Sequence, residues 1–425
     1  MTEFVYPKLA ERMYREKLPN GLTVVVVPRP GFSRKLAYFV TDYGSIHRFF
    51  ELDGQKYEVP AGIAHYLEHK MFDLPGRDVS AELAELGANV NAFTSYDMTA
   101  YYFSCTDHFE AALKLLLEFV ATPYFTEESV QKERGIIDQE ISMNLDAPDS
   151  VIFDNLMEAL YRHHQIRVPI LGTSESIRWI TPEMLELCHR AFYTPGNMIL
   201  CVVGDVDPEM VKALALDQLG HEARSVGKKI PGPEEEMMAR LPDRETKMEV
   251  AMPTFQLGFK CEPIGVGEAA IRREVIGDLA AEALFGESSE LYLKLYEQGL
   301  IDTSFGGGFE TVDGCALLTC GGDSRDPKAI RDAIIARGAE LTEQGIEEGD
   351  FLRMKRSALG RRIRDLDSFD STCFRICAYH FSGFDYFDFP GVYESVTRQE
   401  VVEFLKNTVT EPRCALSVIN PLEVS

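Results

Sequence analysis

Several things are missing from this sequence, and each absence narrows its function. It has no run of eighteen apolar residues and no charged-then-apolar leader. MTEFVYPKLAERMYREKLPNG opens on mixed charges, which predicts neither a membrane span nor a signal peptide. Its nine cysteines are scattered, none in the CxxC spacing of a zinc ribbon, and an odd number speaks against a disulfide framework. A cytoplasmic chain is the expectation. Basic residues are scarce: 43 Lys and Arg against 68 Asp and Glu leave a formal charge of −25. Nucleic acid needs a basic footprint and is excluded as a partner. Such a charge keeps a chain soluble and draws basic peptides.

What is present is ample apolar material. The 425 residues are 45% hydrophobic and 10% aromatic, enough for large cores in roughly two to three domains. Self-comparison reveals a duplication. TPEMLELCHRAFYTPGNMILCVVGDVDP from Thr181 lies beside TRQEVVEFLKNTVTEPRCALSVINP from Thr397: a capped helix, a Pro-marked break, then an apolar strand. FTEESVQKERGIIDQEI from Phe125 resembles EEGDFLRMKRSALGRRI from Glu347. The stretch from Met71 matches that from Leu284 through a helix and its closing glycine, Gly87 against Gly299. The seam, residues 221–247, has linker composition. The expected organisation is a domain at 1–220, a linker at 221–247 and a homologous domain at 248–425. Each half alternates strand-like and helix-like runs, which predicts an α+β fold: a mixed or antiparallel sheet backed by helices on one face.

AGIAHYLEHKMF, residues 61–72, reads as a helix with almost no solvent face, Lys70 being its one obvious outward charge. His65 and His69 are one turn apart, so both imidazoles can reach one metal ion, and Glu68 sits beside them. Two readings compete. Both histidines could be structural, with Glu68 paired to Lys70 or to another base. Alternatively the three serve a metal, which better explains a buried glutamate. A catalytic zinc wants three protein ligands and an open fourth position. FTEESVQKERGIIDQEISM supplies candidates: Thr126 as N-cap, then a helix whose inward stripe carries Val130, Glu133, Ile137, Glu140 and Asn144. Two carboxylates on that face suit a ligand and a supporting group.

HYLEHKMF followed by ERGIIDQE resembles the pitrilysin/insulinase family of zinc peptidases, whose HxxEH motif inverts the thermolysin-type HExxH. The resemblance extends through NGL from Asn20, GANVNAFTSYDMTAYYF from Gly87 and TPGNMILCVVGDVD from Thr194. It implies one zinc per chain held by His65, His69 and Glu140, with Glu68 as the base and Glu133 as the supporting carboxylate. It also implies that the stretch containing Asn91, Ala92, Phe93 and Thr94 is an edge strand, onto which a peptide substrate adds as a further strand. The function implied is that of a zinc endopeptidase, acting on short or unfolded peptides in a closed chamber. A non-catalytic peptide-binding subunit is the alternative.

The second half departs from this chemistry. Opposite His65, Glu68 and His69 stand Asp278, Ala281 and Glu282, and opposite Glu133 and Glu140 stand Lys355 and Arg362. The family's second-half Arg/Tyr pair is also missing, since Tyr296 stands at the arginine position and Asp302 near the tyrosine. By resemblance, a heterodimer whose related chain supplies that pair is expected, or a homodimer using Tyr292 or Tyr296 instead. Gly306–Gly308 reads as a bulge or turn.

Overall fold

In the computed structural model, residues 1–422 are described. Twelve strands build the two main sheets: β1 (Thr2–Tyr6), β2 (Glu11–Lys17), β3 (Thr23–Pro28), β4 (Lys35–Thr41), β5 (Asn89–Thr94), β6 (Thr99–Cys105), β7 (Met198–Gly204), β8 (Asp243–Met248), β9 (Thr254–Cys261), β10 (Gly306–Val312), β11 (Cys315–Asp323) and β12 (Cys414–Pro421). The first sheet runs β1-β2-β3-β7-β4-β6-β5, and the second β8-β12-β9-β11-β10. Stripped of β1 and β2, the two are the same object. In each, the first pair is parallel (β3 with β7, β8 with β12) and the other pairs are antiparallel. The duplication read from the sequence is therefore a duplication of topology.

The capping chemistry repeats as well. Thr181 and Thr397 both cap helices, Pro182–Phe192 and Arg398–Thr408, by accepting a backbone N–H three residues on. Gly87 and Gly299 both close short helices in the left-handed conformation, with φ of 71° and 64°.

The chain forms two compact units, and neither is a continuous segment. One comprises Met1–Ile141, Pro169–Pro231 and Ile363–Asp388; the other takes Ser142–Val168, Gly232–Arg362 and the chain from Phe389 on. The division at 221–247 thus describes only one crossing, at Pro231, and β8 already begins within that stretch. The two exchanged segments explain the rest. Helix Pro148–Leu160 packs on β12 and β9 of the second unit, where Leu156 and Leu160 fill the space a Cβ at Gly258 would need. Helix Phe369–Phe381 packs reciprocally on β7 and β4 of the first. In the first unit, alternate residues of β6 face opposite layers. Tyr101 meets Phe72 and Phe119 of the local helical layer, whereas Tyr102 stacks on Tyr38 and meets Phe93, whose ring lies 6.0 Å from Phe374 of the exchanged helix.

Gly306–Gly308 is not a bulge or turn: these residues open the edge strand β10. A Cβ at Gly307 would lie 2.1 Å from the Thr319 carbonyl oxygen, so glycine here answers a close strand approach.

Candidate metal centre

The two elements expected to carry the site are helices Ile63–Lys70 and Glu127–Leu145. The shorter starts at Gly62 with φ 87°, where a Cβ would lie 2.4 Å from the Leu171 carbonyl oxygen, so only glycine lets residues 171–172 pack across its start. Ser176 ties the same place by donating to the Ala61 carbonyl at 2.9 Å. The longer helix is capped by Thr126, whose hydroxyl accepts the Ser129 N–H. The buried Tyr66 hydroxyl donates to the Val130 carbonyl and joins the two helices. Their relative rotation is therefore set by a hydrogen bond as well as by packing.

This arrangement brings His65, His69 and Glu140 together, one potential ligand atom from each lying within 4.8 Å of the others. The Glu140 Oε2 is 3.6 Å from His65 Nε2 and 3.7 Å from His69 Nε2. Tetrahedral bonds of about 2.0–2.1 Å put zinc ligands roughly 3.4 Å apart, so the spacing fits such an ion. The electrostatics fit as well. Burial, followed by the neighbouring His69, pushes the His65 imidazole down to about 3, so it is neutral as a metal ligand must be. Its Nδ1 is buried and has no hydrogen-bond partner among the described residues. Burial works to lower His69 too, but the hydrogen bond to Glu133 and the surrounding carboxylates outweigh it and raise that imidazole.

Glu133 lies beside the cluster, its Oε1 2.9 Å from His69 Nδ1. Burial would raise its pKa, but the contact with His69 holds it below the ordinary value. Glu68 is 8% exposed, and burial raises its pKa, opposed by a hydrogen bond from Thr94.

Two expectations need correcting. Lys70 is not an outward charge: it is 1% exposed, and its ammonium reaches the Asp73 carboxylate. A lysine can bury its whole stem when a partner meets its tip. Accordingly Glu68 does not pair with Lys70; its Oε2 accepts from the Thr94 hydroxyl at 2.7 Å. The second correction concerns the duplicated helix Glu348–Arg364. Its buried residues Phe351, Ala358 and Arg362 answer Val130, Ile137 and Ile141, which sets Arg361 rather than Arg362, and Met354 rather than Lys355, opposite Glu140 and Glu133. Arg361 pairs with Glu282 at 3.0 Å and Arg362 with Glu274 at 3.2 Å. Ion pairs stand there in place of a histidine–carboxylate cluster.

Asn91, Ala92, Phe93 and Thr94 lie on β5, the edge of the first sheet, and divide between its faces. Thr94 turns to Glu68 and Phe93 to the exchanged helix. The Ala92 N–H is taken by the Asn91 carboxamide oxygen at 2.9 Å. The partners of Glu68 and Lys70 were missed because Thr94 and Asp73 carry no periodic or motif signal linking them to the histidine helix. Among the described residues no helix is long and apolar enough to cross a membrane.

Comparison with known proteins agrees with this geometry. Residues 53–174 match the model of the insulinase domain (peptidase family M16), and residues 180–358 match that of the peptidase M16 inactive domain. The uncharacterized zinc protease YmfH of Bacillus subtilis (strain 168) is 37% identical over 424 residues, covering 98% of each chain. The crystal structure of an M16-like peptidase from Alicyclobacillus acidocaldarius superposes with a TM-score of 0.93 at 33% identity, over 97% of this chain and 99% of that one. A protease from Helicobacter pylori shares the fold, with a TM-score of 0.81 at 20% identity over 97% of this chain and 100% of that one. With a full-length relative named as a zinc protease, and with two imidazoles of one helix gathered beside a carboxylate of another, the chain belongs to the insulinase family of metallopeptidases, peptidase family M16.

Proposed function

We propose that the chain is a zinc endopeptidase, with one zinc held by His65, His69 and Glu140 and with Glu133 bracing His69. The observation that carries this reading is the convergence of those three side chains beside a buried glutamate, whose hydrogen bond comes from Thr94 and not from them. A bound zinc supplies Lewis acidity toward the scissile carbonyl and makes water acidic near neutral pH. Glu68 takes the proton of the attacking water and returns it to the leaving amine. Its burial favours both transfers, because a raised carboxylate pKa lies nearer the working pH. The outer edge of β5 offers main-chain groups to an extended peptide, which favours short or unfolded substrates and tolerance of sequence.

In the second unit the positions matched to the Arg/Tyr pair do not carry it, Tyr296 standing at one and Asp302 near the other. Tyr292 and Tyr296 stack on each other, with ring centroids 6.1 Å apart, and Asp302 accepts from the Ser304 hydroxyl and N–H. That absence supports a heterodimer in which a related chain supplies the pair and closes a chamber that folded proteins cannot enter. A homodimer using its own tyrosines is the simpler assembly. The nine cysteines are buried and none forms a disulfide, which supports a cytoplasmic setting.

The test is mass-spectrometric cleavage of a mixed library of unstructured peptides by the zinc-loaded chain, wild type against Glu68→Gln. Cleavage by the wild type alone is expected. If neither protein cleaves, with or without a related chain from the same source, the peptidase reading gives way to a non-catalytic peptide-binding subunit.

A further inference from the structure

Thr94 sits at the junction of the two proposed functions of the first unit, and its hydroxyl can serve only one of them. It is the last residue of the edge strand β5, and its side chain turns inward to the histidine helix. The Thr94 Oγ1 donates to Glu68 Oε2 at 2.7 Å. The neighbouring Thr99 hydroxyl gives its own proton to the Tyr43 carbonyl at 2.9 Å and lies 3.5 Å from Thr94 Oγ1. A threonine hydroxyl carries one proton. That of Thr94 is committed to the carboxylate, and one lobe of Glu68 is thereby pinned while Oε1 is left for the reaction.

The threonine is itself held rigidly. It pairs with Thr99 across the β5–β6 hairpin. The turn that follows is closed by the Ser95 N–H donating to the Met98 carbonyl at 2.8 Å, and by the Ser95 hydroxyl reaching Asp97 at 3.0 Å. Gly44 is packed against this turn so closely that a Cβ would lie 2.6 Å from the Asp97 nitrogen. The Ser45 and Ile46 N–H groups donate to the carbonyls of Ser95 and Tyr96. Nothing here is a swinging side chain on a loose loop. A buried carboxylate with a single fixed donor keeps one rotamer, and general-base catalysis depends on that placement.

We infer that Thr94 is a positioning residue, whose hydroxyl orients the Glu68 carboxylate, and not a direct contact for substrate. This rests on the reading of Glu68 as the base. The edge strand then has two roles. It takes the peptide and it aims the base, so substrate and base are referred to one piece of backbone.

Two measurements test it, both on the full zinc-loaded chain, comparing wild type with Thr94→Val and Thr94→Ser. The first is kinetic. Thr94→Val should lower kcat roughly 10- to 100-fold, the cost of misplacing a catalytic group by about 1 Å, with KM within about twofold. Thr94→Ser should restore most of the rate, because it keeps the hydroxyl. A rise in KM with unchanged kcat would mean that Thr94 binds substrate, and would overturn the inference. The second is crystallographic and independent of turnover. The Glu68 carboxylate should hold one conformation in wild type and Thr94→Ser, and rotate or split in Thr94→Val. An unmoved carboxylate in Thr94→Val overturns the inference whether or not the chain is active. Loss of the peptidase reading itself would be seen elsewhere, as a wild-type chain that binds zinc and cleaves nothing.

Discussion

His69 Nδ1 lies 2.9 Å from Glu133 Oε1, and the two residues come from different helices. The contact engages Nδ1 and leaves Nε2 facing Glu140, as the proposed zinc ligand would need. Partners of this kind orient the imidazole and raise its basicity, and losing one commonly costs 10- to 100-fold in metal affinity. Glu133→Gln keeps the shape but removes the charge. Zinc competition against a chromophoric chelator should show affinity lower by roughly 10- to 100-fold, with the protein otherwise folded as wild type by circular dichroism. Unchanged affinity would reduce Glu133 to a packing residue.

Glu140 is expected to behave differently from Glu68. It is the member of the His65, His69 and Glu140 cluster that the longer helix supplies, and its side chain is 39% exposed. Removing it should cost metal and little stability. Glu140→Ala should therefore elute from gel filtration without stoichiometric zinc by atomic absorption, whereas Glu68→Gln should retain it and lose turnover by about 10²- to 10⁴-fold. Full zinc occupancy in Glu140→Ala would move the third ligand to another residue.

How much of this was legible in the sequence depends on how local each feature is. His65, Glu68 and His69 share one turn of helix, and Glu133 and Glu140 lie two turns apart on another, so spacing alone exposes them. The bond from Thr94 to Glu68 joins a strand end to a helix, and no periodicity connects those two positions. The burial of Lys70 was hidden for the same reason, because it depends on Asp73 in the strand after the helix. Helix Pro148–Leu160 shows an apolar face, but that face reads the same whichever sheet it covers, so the reciprocal exchange with Phe369–Phe381 left no trace in the pattern. The register slip in the second half came from Arg362, which a hydropathy pattern places outside. Its guanidinium meets Glu274 and lies over the rings of Phe389 and Tyr393, which accounts for its burial.

Gly62 is the residue whose change should disturb the site without touching its chemistry. Its φ of 87° costs an L-residue about 1–2 kcal/mol, and the Leu171 carbonyl oxygen stands 2.4 Å from where a Cβ would go. Gly62→Ala must either shift residues 171–172 or rotate the helix that carries both histidines. The expected loss is roughly 2 kcal/mol in urea denaturation, with weaker zinc binding. Wild-type stability in Gly62→Ala would show that residues 171–172 yield freely.

The second unit carries its own test, through a buried charge remote in sequence from His65, His69 and Glu140. Glu235 accepts the backbone N–H groups of Arg162, His163 and His164 and the ammonium of Lys260, which is itself 1% exposed. Burial alone would raise the Glu235 carboxyl, but these donors outweigh it and hold the group down at about 2, against 4.5 for the free side chain. A carboxyl depressed in the folded state stabilises the fold above its unfolded pKa, and that contribution is lost as pH falls through the folded one. The stability due to Glu235 should thus be complete above about pH 4.5 and should disappear toward pH 2. Glu235→Gln leaves Lys260 buried without its counter-charge, at a cost of about 3 kcal/mol near neutrality. Urea midpoints measured from pH 7 downward should show the two proteins converging below pH 4.5, where the unfolded wild-type chain begins to take up the proton that the folded one still refuses. A gap that stays constant down to about pH 3 would mean that Glu235 acts by shape and not by charge.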